Sequence, residues 1–101
     1  MNREAYRYSF PDLISLTDVQ DTIFLAIFSA EGLHGRAQVR LDVGYCLDEA
    51  KHSLIVDAGT PAGKTVAQIF TGLLSRQLGE DAFVVEHVFG NIGTEQAGAA
   101  P

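Results

Sequence analysis

Arg36-Ala37-Gln38-Val39-Arg40-Leu41-Asp42-Val43-Gly44-Tyr45-Cys46-Leu47-Asp48 is the stretch on which the fold turns. Ala37, Val39, Leu41, Val43, Tyr45 and Leu47 fall on alternate positions, with Gln38, Arg40, Asp42, Cys46 and Asp48 between them. That is the period of a strand with one buried and one polar face. Asp48 to Lys51 is a polar turn, and Ser53 to Ala58 returns as an apolar run, so the pair reads as an antiparallel hairpin. Gly44, inside the first strand, marks a bulge.

Downstream of the hairpin a helix is expected. Thr60 suits its N-cap and Pro61 its first position, where a missing N–H costs nothing. Val66, Ile69, Phe70, Leu73, Leu74 and Leu78 make its apolar stripe, and Gly79 ends it. Ala82 to Phe89 reads as a last strand. The chain from Gly90 to Pro101 is rich in Gly and Ala and is expected to be a flexible tail.

Upstream, Thr17-x-x-Gln20 has the form of a capping box, with Asp18 and Asp21 where the helix dipole favours anions. Val19, Ile23, Ala26, Ile27 and Ala30 recur at helical spacing, and Gly32 or Gly35 ends the element. Tyr6 to Phe10 alternates aromatic with polar residues and stops at Pro11, which suggests a short edge strand. The predicted order is β-α-β-β-α-β, a two-layer α+β sandwich of ferredoxin-like form with two helices on one face of an antiparallel sheet. Without the first strand it becomes α-β-β-α-β. One domain over 1–89 and a tail over 90–101 account for the chain, since 101 residues support a single core.

Composition removes several function classes. Thirteen acidic residues against seven basic ones give a net charge of −6, which repels a phosphate backbone, so nucleic acid is not an expected partner. No apolar run has the length of a membrane span. No signal peptide is visible, and Cys46 has no second cysteine to pair with, which fits a reducing, cytoplasmic setting.

The segment Ala58-Gly59-Thr60-Pro61-Ala62-Gly63-Lys64-Thr65 follows a predicted strand and opens a predicted helix. It resembles the phosphate-cradling loop of P-loop proteins in its permissive form, with Ala58 where the first glycine usually stands. The stricter pattern fails, because Gly59 is one residue too close to Gly63. Hydrolytic P-loop domains also need a mostly parallel sheet and an Asp-tipped strand to hold magnesium. Gly59, Thr60, Gly63, Lys64 and Thr65 are therefore expected to build a helix start that is at most an anion-binding site.

Other constellations are thin. Glu31-x-x-His34 has the spacing of a metal-ligand pair, but the second helix supplies no matching ligand, so no metal or cofactor is expected. A Cys46–His87 dyad requires both on one sheet face in adjacent strands. Asp42, Asp57 and Glu86 read as a solvated acidic face. Phe24, Leu25 and Phe28 project beyond the stripe of Val19, Ile23 and Ile27, giving the first helix more apolar surface than one sheet can cover. A second copy of the chain is the simplest partner for it. Three functions follow: a non-catalytic homo-oligomeric binding module, an anion or nucleotide-phosphate binder at Gly59–Thr65, or a small enzyme with its site between subunits.

Overall fold

The computed structural model describes residues 4–88; the tail expected over 90–101 lies outside them. The described chain runs β1 (Ala5–Ser9), α1 (Leu16–His34), α2 (Arg36–Asp42), β2 (Tyr45–Asp48), β3 (Ser53–Asp57), α3 (Pro61–Leu78), a 3₁₀ turn (Glu80–Ala82) and β4 (Val84–Val88). The strands form one sheet in the order β2-β3-β1-β4, with every neighbouring pair antiparallel. The protein is thus α+β, compatible with a two-layer sandwich.

Register fixes the two faces. Tyr6 pairs with Val56 and His87, and Tyr8 with Leu54 and Val85. Because side chains alternate, these residues share a face with Tyr45 and Leu47 of β2, and this is the face the helices cover. Tyr8, Leu54 and Val56 are buried there with Val19, Ile23 and Ala30 of α1 and Val66, Phe70 and Leu74 of α3. Each large apolar side chain so enclosed contributes about 1.5–3 kcal/mol. Tyr8 meets Phe70 edge-on at 4.7 Å between ring centroids, a favoured aromatic geometry. The other face carries Arg7 and Glu86, directly opposite each other and ion-paired at 3.3 Å.

The two long helices run antiparallel. Thr22 of α1 donates to the Gln77 amide oxygen near the end of α3, at 2.9 Å. At the opposite end His34 meets the Thr65 hydroxyl at 2.8 Å. α1 ends at Gly35, whose φ of 85° lies in the region glycine enters without strain.

Four local readings are corrected. The long strand over Arg36–Asp48 is divided: its first half is α2, held by Val39 N–H to Gly35 and Val43 N–H to Val39. Ala37, Gln38, Arg40 and Leu41 are good helix formers; Val39 alone of α2 is buried and Leu41 is 81% exposed. Alternation was therefore coincidental there and real only in Tyr45–Asp48. Gly44 stands before β2, where its carbonyl accepts from Asp57 N–H, and makes no mid-strand bulge. α1 begins two residues earlier than a Thr17 cap implies: Ser15 is its N-cap, without a side-chain bond, and Thr17 is inside the helix. Finally, β1 lies between β3 and β4 instead of at an edge. Pro11 falls beyond the strand's end, so its missing N–H costs the ladder nothing, and Phe10 N–H still reaches the His52 carbonyl.

Candidate functional site

The turn from β3 into α3 brings Gly59, Thr60, Gly63, Lys64 and Thr65 together, but most of its donors are already engaged. Gly59 N–H donates to the Asp57 carboxylate at 2.8 Å, closing an Asx-turn. Gly63 N–H donates to the Thr60 hydroxyl at 3.0 Å, the expected N-cap bond, and Pro61 occupies the first helical position. Thr60 in turn donates to the Asp42 carbonyl at 3.2 Å, tying α2 to the start of α3. Thr65 donates to the Pro61 carbonyl at 3.1 Å and meets His34. An anion at this turn would compete with Asp57 for the Gly59 N–H and with Thr60 for that of Gly63.

Lys64 reaches away from the turn, to Glu4. The Ala58 N–H bonds the Glu4 carbonyl at 2.8 Å, which extends the β1–β3 ladder and fixes where the Glu4 side chain starts. One Glu4 oxygen takes the Lys64 ammonium and the other takes His87 Nε2 at 2.7 Å. The His87 ring is stacked on Tyr6, with centroids 4.7 Å apart and planes at 19°. The Lys64 contact, then that of His87, holds the Glu4 carboxyl below its usual range. The same Glu4 contact raises Lys64. Both effects follow from opposite charges favouring each other's charged forms.

Beside this cluster lies a groove of about 430 Å³ between α3 and the β1–β4 half of the sheet. Tyr6, Tyr8 and Val85 line its sheet side; Lys64, Gln68 and Thr71 line its helix side. β4 is an edge strand, and Val85 on it is 40% exposed. Deep in it, the Tyr8 hydroxyl bonds Thr71 Oγ1 at 2.8 Å and the Ala67 carbonyl at 3.2 Å. Burial pushes the Tyr8 phenol up to about 12.

The remaining candidates are dispersed. Cys46 and His87 occupy opposite edge strands, about 14 Å apart at three strand spacings, and their side chains belong to opposite sheet faces. Asp57 and Glu86 share the helix-free face, while Asp42 sits on α2, where its carboxylate accepts from Gln38. Among the described residues no group of three His, Cys, Asp or Glu side chains is placed to hold a metal ion. No described helix is long and apolar enough to cross a membrane.

On the outer side of α1, Phe24 and Leu25 are about half exposed and Phe28 is 72% exposed. The Phe24 ring leans edge-on over Tyr45 of β2, at 6.0 Å between centroids. The apolar surface therefore extends from α1 toward the sheet edge. Leu33 and Leu41 are exposed as well.

Sequence reasoning missed the Glu4–Lys64–His87 cluster. Its members stand 60 and 83 positions apart, and no local pattern joins them. The pairing of β1 with both β3 and β4 is what creates it.

No protein-family model matches the chain, and no curated protein and no solved structure matches it either.

Proposed function

We propose that the chain is a small binding module that associates with a second copy of itself through the outer face of α1 and has no catalytic role of its own. The observation that carries this reading is the exposure of Phe24, Leu25 and Phe28 on consecutive turns of one helix. Residues three and four apart are neighbours on a helix surface, so these three form one patch. Water contact with such a patch is costly, and covering it is favourable in proportion to the apolar area removed. An isologous pairing covers two patches with one contact and places no charge at its centre.

The sheet order supports reading the topology as a ferredoxin-like plait. β1 and β2 flank β3, and β3 and β4 flank β1, as in two interleaved split β-α-β units. On this reading α2 is an addition at the end of the first crossover. Such a fold hosts many unrelated functions and lends nothing to the choice among them.

NMR on an equal mixture of isotope-labelled and unlabelled protein tests the pairing. Intermolecular contacts from the Phe24 and Phe28 rings are the expected result. Their absence at millimolar protein, with the rings well resolved, would count against the pairing.

A further inference from the structure

We propose that the groove between α3 and the β1–β4 half of the sheet binds a small organic acid with a flat apolar body and one carboxylate. Its volume of about 430 Å³ lies in the range of small-molecule sites, which combine apolar walls with a few placed polar groups. The apolar part is supplied by Tyr6, Tyr8, Ala67 and Val85.

The polar part is one-sided. Lys64 and Gln68 stand one helical turn apart on α3, on the same wall of the groove. Among the described residues the lining contains this single cation and no carboxylate, in a chain whose net charge is −6. The Tyr8 hydroxyl and Thr71 satisfy each other, so they take no part in selecting a charge. An acid's carboxylate accepts from Lys64 and the Gln68 amide, while its body lies against Tyr8 and Val85.

Lys64 is also held in place before any ligand arrives. Glu4 takes one of its three N–H donors, and His87, stacked on Tyr6, fixes Glu4 from the other oxygen. A positioned ammonium loses less freedom on binding than a loose one. The site is separate from the outer face of α1, so it stands whether or not the chain pairs there.

The test is an NMR titration of the full chain with indole-3-acetate, its neutral amide indole-3-acetamide, and inorganic phosphate. The acid is expected to shift the backbone signals of Tyr6, Gln68, Thr71 and Val85 saturably. It should bind about five- to tenfold more tightly than the amide, the difference between a charge-assisted and a neutral hydrogen bond. Lys64→Gln should abolish that preference. Val85→Trp, a filling change at a partly exposed position, should abolish binding of both indoles while the spectrum stays that of a folded chain. Equal binding of acid and amide, no saturable shift at millimolar ligand, or equal displacement of the same signals by phosphate would each overturn the proposal.

Discussion

A β-carbon placed on Gly63 would stand 2.4 Å from the carbonyl oxygen of Asp57 and 3.0 Å from the Thr60 hydroxyl. The first turn of α3 is thus pressed against the end of β3 at a distance that only glycine permits. The glycine of the G-K-T segment is explained by packing, as Thr60 is by capping and Lys64 by its pairing with Glu4.

Gly63→Ala is expected to destabilise the fold by about 1–3 kcal/mol, the usual cost of forcing a group into filled space. Gly72 makes the matched control, because it lies in the exposed interior of α3 with nothing within 4 Å of an added β-carbon. Gly72→Ala should stabilise by about 1 kcal/mol through helix propensity. Urea denaturation of the two variants should give shifts of opposite sign; equal shifts would refute the close approach.

Tyr8 predicts a loss of stability at high pH. Its phenol loses its proton near 10 in the unfolded chain and at about 12 in the folded one. Between those values the unfolded state binds fewer protons, so stability falls as pH rises, by about 3 kcal/mol in all. Tyr8→Phe should lack this decline, after a cost of about 1 kcal/mol at neutral pH for the lost hydrogen bonds. Parallel alkaline limbs in the two proteins would contradict the burial of a neutral phenol.

Glu4 predicts the opposite limb. Its folded carboxyl is held below the ordinary value of 4.5, so its contribution is fully present above that pH and is lost as pH falls through the folded value. Glu4→Gln should flatten part of the acid limb, and Lys64→Gln should flatten it similarly by removing the main partner. Denaturation curves of the three proteins between neutral and acid pH measure this. An unchanged acid limb in Glu4→Gln would show that the cluster does not form in solution.

What was legible in the sequence follows from how local each determinant is. α3 was readable from end to end, because Thr60, Pro61 and Gly79 act within a turn of themselves. The β2–β3 hairpin was readable for the same reason. α2 was not: seven residues are too few to display a helical period, and Arg36–Val43 happens to alternate. The central place of β1 is set by partners near residues 55 and 86, which no short window contains. The groove and its Lys64 wall depend on that same pairing. By contrast the surplus of Phe24, Leu25 and Phe28 was visible from helical spacing alone, and all three are exposed in the folded chain.

Molar mass in solution is the most direct measure of the proposed self-association. Sedimentation equilibrium over a range of protein concentrations should give a species of twice 10.9 kDa. Phe28→Glu, which puts a charge on a side chain already 72% exposed, should return the chain to 10.9 kDa without loss of helical signal. A wild-type protein that stays at 10.9 kDa at the highest soluble concentration would contradict association through α1.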